Sequence, residues 1–291
     1  MQPIGESELI ITNRGTIYHL DIAPHQLADT IITVGDPGRV AEVSKYFDKT
    51  EHKAQHREFV SHTGYIGKKR LTVVGTGIGP DNIDIVFNEL DALANIDFDT
   101  RLPRKEIRTL SVIRMGTCGS LQEDVPVDSL VISTHGIGLD NLLHYYACTQ
   151  DITEEQLLLD FDAHTGLVNQ PVTPYIAAGD KGLREHFTNG YVHGITVTCP
   201  GFYGPQGRLL RAPLAFPGLI DALTSFRSGA GRIVNFEMET SAIYGLGKLL
   251  RHRCLSINTV VANRIQKTFS ADAGTAIDNM IRRSLEIIEK I

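Results

Sequence analysis

Leu110–Ser120, LSVIRMGTCGS, is the stretch from which the fold is read. Its apolar run carries one arginine, Arg114, and predicts a buried strand over Leu110–Ile113. Gly116 and Gly119 predict a turn over Met115–Ser120 at the strand's carboxyl end. Open α/β sheets bind ligands just beyond such ends, where backbone N–H groups are free. Arg114 beside Thr117 and two glycines suits a small anion there. Two other segments are expected to converge on it, IITVGDPGR (Ile31–Arg39) and VVGTGIG (Val73–Gly79).

The chain has 291 residues, 42% of them hydrophobic, enough for one large α/β domain or two small ones. A net charge of −6 with no basic block argues against nucleic-acid backbone binding. No transmembrane stretch is legible, and MQPIGESELI has neither a basic start nor an apolar core, so the expected location is cytoplasmic and no membrane partner is expected. The four cysteines, Cys118, Cys148, Cys199 and Cys254, form no CxxC pair and are expected to be free thiols.

IITV reads as a strand and GDPGR as its exit, with Pro37 holding Asp36 out of the helical region. Gly35 lets backbone N–H groups face a ligand and Arg39 supplies a charge-assisted bond, which together make a phosphate cradle. The segment is neither GxxxxGK[ST] nor GxGxxG. Glu58–His62 and Arg70–Val74 read as paired strands, Arg39–Phe47 and Asn82–Ile96 as helices, and VDSLVIST as a further strand. His52 and His56 lack a third metal ligand, and no metal is expected. Residues 136–174 read as an insertion or flap within a single domain spanning 1–291. YIAAGDKGLREHF reads as a helix, YVHGITVTCP as a strand with GFYGPQGR as its exit, and NFEMETSAIYGLGKLLRH as a turn running into a helix. CLSINTVVANR is another strand, and Ala273–Ile291 is a long amphipathic helix. The alternation predicts a three-layer α/β/α domain with a central mixed sheet.

VGDPGR, HREF, GTGIG, RMGTCGS, FYGPQGR, NFEMETSA and ANRIQ occur in this order. As a set they resemble the nucleoside phosphorylase-I superfamily, and within it the uridine phosphorylases, over roughly Ile17–Ile291. The resemblance implies adjoining phosphate, ribose and base pockets. Gly35, Arg39, Arg114 and Thr117 would contact phosphate. Arg57 of HREF would reach the phosphate site of a partner subunit, and His19 its ribose 5′ side. A homodimer is then the minimum complete unit, and many bacterial relatives assemble into a trimer of dimers. Glu239 would hold the ribose hydroxyls, with Met238 against the sugar, Thr117 close by and Glu237 less direct.

FYGPQGR resembles the uridine-selective FYxxQxR pattern. Gln206 would pair with uracil through its amide, Arg208 would donate to a uracil carbonyl, and Phe202 would stack on the base. Where purine-specific relatives often carry Asp, this chain has Asn263. The implied reaction is reversible phosphorolysis of uridine to uracil and ribose 1-phosphate. Arg39, Arg57 and Arg114 would orient phosphate, and Gln206 and Arg208 would stabilise the leaving base. Inorganic phosphate is a co-substrate and no cofactor is implied. Some bacterial relatives hold a monovalent cation with a glutamate matching Glu58, but Asn82 alters that turn here and no required metal is expected. A purine or broad-specificity phosphorylase, a hydrolytic nucleosidase and a non-catalytic nucleoside-binding protein remain as alternatives.

Overall fold

The computed structural model describes residues 2–167 and 170–291; positions 168 and 169 of the expected insertion lie outside the described residues. The strands in chain order are β1 (Thr30–Val34), β2 (Lys49–His56), β3 (Phe59–Ile66), β4 (Lys69–Gly75), β5 (Ile96–Asp97), β6 (Leu102–Pro103) and β7 (Ser111–Ser120). They continue as β8 (Leu130–Gly138), β9 (Tyr175–Ala178), β10 (Val192–Thr198), β11 (Arg227–Ser228), β12 (Gly231–Glu237), β13 (Arg253–Asn263) and β14 (Thr268–Phe269). The helices are α1 (Arg39–Ser44), α2 (Pro80–Asn95), α3 (Ile152–Thr165), α4 (Lys181–Arg184), α5 (Leu219–Ser225), α6 (Thr240–Leu249) and α7 (Ala273–Ile288).

The main sheet runs β11-β12-β10-β8-β13-β7-β1-β4-β3-β2, and β12 also pairs with β7. That extra pairing, Asn235 with Ser120 and Phe236 with Gly119, closes five strands into a barrel-like core. The β1-β4-β3-β2 arm stays open. Pairing is mixed: β7 is parallel to β1 and β13, while β8 is antiparallel to β13. Strand alternation places helices on both faces. Ile31, Val74 and Val112 pack with α2 and α6, and their neighbours Ile32, Val73 and Ile113 pack with α1 and α7. This is the expected α/β/α sandwich. A third cluster joins Ile137, Ile195 and Ile233 to α3 and α5.

Several local expectations give way. Met115–Ser120 is not a turn: β7 runs unbroken to Ser120, paired along its length with β13. Its glycines serve close approach. A Cβ at Gly116 would lie 1.9 Å from Arg114 Nη1, and one at Gly119 would lie 3.0 Å from the Phe236 ring. YIAAGDKGLREHF is not one helix. Tyr175–Ala178 joins β8 as β9, Gly179 passes against the Tyr244 ring, and Asp180 caps the four-residue α4. A four-residue apolar run does not distinguish strand from helix by periodicity. The residues before EMET form β12, buried from Ile233 to Glu237 and therefore without polar alternation. β2, KTEHKAQH, has no apolar face to announce it and is an edge strand held by β3.

Candidate active site

The segments leaving β1, β4, β10 and β12 meet the carboxyl-terminal half of β7, next to the Gly119–Phe236 and Ser120–Asn235 pairs that close the barrel. They enclose a cavity of 720 Å³. Gly35 and Arg39 come from the β1 exit, Gly77, Ile78 and Asn82 from the β4 exit, Arg114 and Thr117 from β7 itself, and Phe202, Gln206 and Arg208 from the β10 exit. Glu237, Met238 and Glu239 close the floor where β12 passes into α6. Residues far apart in sequence are thus brought together, all but the two expected to serve a partner subunit's site.

The exceptions are His19 and Arg57. His19 Nδ1 lies 2.7 Å from Glu89 Oε1, and Glu89 also accepts the backbone N–H groups of His19 and Leu20. Arg57, in the left-handed region at φ 53°, donates to the Tyr18 hydroxyl at 3.1 Å. Neither lines the cavity of its own chain, whereas the adjacent Glu58 does.

Arg114 is buried, and its guanidinium folds back over Gly116. Nη2 donates to Glu239 Oε2 at 2.5 Å and lies 3.1 Å from Glu237 Oε2; Nη1 donates to Asn258 Oδ1. Asn258 faces Gly116 across the β7–β13 register, so the missing side chain there makes room for the cation. The carboxylates keep Arg114 charged against its burial and hold its pKa above the ordinary arginine value. Glu239 shifts upward, because burial and the like charge of Glu237 outweigh Arg114. Gly116→Ala is expected to displace the pinned guanidinium, to cost about 1–3 kcal/mol of stability, and to weaken phosphate binding. Urea unfolding and the phosphate KM check this; wild-type values for both would contradict it.

The two carboxylates are used differently. Glu237 accepts from Thr198 Oγ1 and from the N–H groups of Glu239 and Thr240, so it is spent on the start of α6. Among the described residues Glu239 accepts only from Gly79 N, at 2.9 Å, and Arg114, one bond per oxygen. Each oxygen keeps acceptor capacity for a hydroxyl. Arg39 is largely buried, and desolvation lowers its pKa, opposed by Asp36. Arg114 has two carboxylates against its single charge, whereas Arg39 makes no salt bridge among the described residues and feels Asp36 and Glu239 only at longer range.

At the other end Gln206 is buried. Arg208 Nη1 donates to Gln206 Oε1 at 2.5 Å and to Phe202 O at 2.6 Å, and its guanidinium stacks 3.7 Å above the Phe202 ring. Arg264, to which the sequence reading gave no role although ANRIQ contains it, donates to Gln206 O at 2.9 Å. Asn263 is consumed by the turn. Its amide donates to Gln122 O and Val125 O and accepts from Ile265 N and Gln266 N, which leaves it nothing for a base. Burial pushes the Cys118 thiol up to about 12, so it is an inert wall rather than a nucleophile. Among the described residues no cluster of His, Cys, Asp and Glu fits a metal ion.

Residues 29–291 match the phosphorylase superfamily. The chain belongs to this superfamily. This member is 31% identical to a Trypanosoma brucei nucleoside phosphorylase whose crystal structure is described as showing uridine phosphorylase activity. The two superpose with a TM-score of 0.86, covering 97% of this chain and 98% of the other. It is 28% identical to uridine phosphorylase of Thermococcus kodakarensis over 264 residues, 89% of this chain and 81% of the relative. It is also 26% identical to a DeoD-type purine nucleoside phosphorylase of Bacillus cereus over 273 residues, 92% of this chain and 97% of the relative. Membership assigns phosphorylase chemistry on nucleosides. The base is a separate matter.

Proposed function

We propose that the protein is a uridine phosphorylase that converts uridine and inorganic phosphate to uracil and ribose 1-phosphate. One observation carries the choice of base: a buried Gln206 whose amide is held by Arg208, in the same cavity as Arg39. Uracil presents N3–H between two carbonyls, and an amide carbonyl with a neighbouring guanidinium matches that edge. A base with a different edge leaves buried donors unpaired, which discriminates strongly.

In this reading phosphate sits by Gly35, Arg39 and Thr117, over Arg114. Glu239 takes the ribose hydroxyls and Met238 packs against the sugar, which aligns C1′ for attack. As the C1′–N1 bond stretches, positive charge grows on the sugar and negative charge on the base. Phosphate stabilises the first, and Arg208 with Gln206 the second. The displacement needs no covalent enzyme intermediate. Base release from uridine, thymidine, inosine and adenosine tests the substrate: uridine is expected to react fastest, and a preference for inosine or adenosine would transfer the reading to a purine phosphorylase.

The phosphate end is completed by a second copy. Arg114 is offset by Glu237 and Glu239, and Arg57 lies with Tyr18 and His19 outside its own cavity. A dimer that places this cluster at the neighbouring cavity supplies the missing cation, and a trimer of dimers preserves the same contact. Arg57→Ala subunits lack a donated residue, and Arg39→Ala subunits lack a resident one. Each alone is expected to be nearly inactive. Mixed after reversible dissociation, they are expected to recover about a quarter of wild-type activity, since half the dimers are mixed and one site in each is intact. No recovery in verified mixed dimers would place Arg57 elsewhere.

A further inference from the structure

We infer that the base end of the cavity opens into a second, cationic chamber that takes an anionic substituent on the base, so that a uracil bearing a carboxylate at C5 binds better than a neutral analogue of the same shape. The inference rests on the uridine reading and extends it to the substituted bases the site would accept. The chamber has a volume of 440 Å³ and shares Phe202, Arg208 and Phe269 with the main cavity. Its outer wall is the turn after β13, which brings Arg264 and Lys267 beside Arg208.

The charges there are uncompensated. Arg14, Arg70, Arg108, Arg114 and Arg232 each pair with a carboxylate. Among the described residues, Arg208, Arg264 and Lys267 have no carboxylate oxygen within 4.0 Å. The two arginines are held by neutral oxygens instead: Arg208 by Phe202 O and Gln206 Oε1, and Arg264 by Gln206 O. Those bonds fix the guanidinium groups in place without neutralising them. Burial, and then the like charge of Arg264, pull the Arg208 pKa down, as expected for two cations sharing a space that an anion would relieve. Phe269 adds an exposed aromatic wall, while the Phe202 ring lies against the Arg208 guanidinium. A flat ring with one anionic edge fits a chamber with this division of character.

The ring position follows from what is already spoken for. N1 carries the ribose. O2, N3 and O4 form the edge that Gln206 and Arg208 would read. C6 adjoins the sugar. C5 is the position left to carry a substituent outward from the phosphate end.

The test is calorimetric binding of uracil, uracil-5-carboxylate and uracil-5-carboxamide to the full chain at saturating phosphate. The carboxylate is expected to bind about ten-fold more tightly than the neutral carboxamide. That advantage is expected to shrink as salt rises from about 0.05 to about 0.5 M. Lys267→Gln is expected to cut it at least about three-fold while leaving uridine phosphorolysis unchanged. A carboxylate that binds no better than the carboxamide, or whose advantage ignores both salt and Lys267→Gln, overturns the chamber and leaves the uridine reading standing. Failure of uracil itself to bind overturns the base assignment and the chamber together.

Discussion

Arg114→Met is expected to lower the free energy of unfolding by about 3–5 kcal/mol and to abolish phosphate-dependent turnover. Arg114 is the cation between Glu237 and Glu239, at 3.1 and 2.5 Å, and all three side chains are buried. Removing it leaves two carboxylates in a low-dielectric site with no counter-charge. They must then take up a proton or draw in water, and either change loosens the β12–α6 junction that Glu237 caps. Arg114→Lys separates charge from geometry. A lysine keeps the charge but gathers its donors on one nitrogen, without the planar fork by which Arg114 reaches Asn258 through one nitrogen and the two carboxylates through the other. Its unfolding midpoint is expected between those of wild type and Arg114→Met, with turnover close to the latter. An Arg114→Met protein that unfolds at the wild-type urea concentration would show that the buried triad does not hold the site together.

Arg208→Ala is expected to reduce kcat by about 10²–10³, or about 3–4 kcal/mol, with little change in stability or in the phosphate KM. Arg208 is half-buried in a surface loop, and among the described residues its side chain hydrogen-bonds only Phe202 O and Gln206 Oε1, so the core does not depend on it. Its proposed work is done in the transition state, where the departing base gains negative charge. The loss should therefore be larger for uridine than for a uridine analogue whose leaving base is already a good anion. Unchanged turnover would remove Arg208 from the mechanism.

The chain announced its architecture through alternation: apolar strands at β1, β4 and β13 and the three-and-four spacing of α2 and α7 were visible as pattern. What it hid was local. The glycines of β7 have the composition of a turn, yet they lie in a strand because the Arg114 side chain and the Phe236 ring occupy the space above them. Only the partner's position distinguishes a glycine that turns the chain from one that admits a neighbour. β12 and β9 were masked for the opposite reason, being short and buried enough to lose period-2 contrast.

The site was legible as a set of segments and less so as a set of roles. Arg39, Arg114, Glu239, Gln206 and Arg208 do share a cavity. Three positive charges facing a dianion is not what the cavity contains, however, because Glu237 and Glu239 offset Arg114. Nothing in RMGTCGS indicates that its arginine is paired with carboxylates 123 and 125 positions onward. Arg264 was hidden inside a motif quoted for its neighbour. Asn263 was readable as a base selector only until its four bonds to neighbouring backbone were seen, two to the turn after β13 and two to the segment after β7.

The most direct test of the account is uridine cleavage followed by phosphorus NMR, with and without inorganic phosphate. The account predicts ribose 1-phosphate formed in step with uracil, and base release that stops when phosphate is removed. Uracil released at the same rate in phosphate-free buffer, with free ribose as the other product, would contradict it.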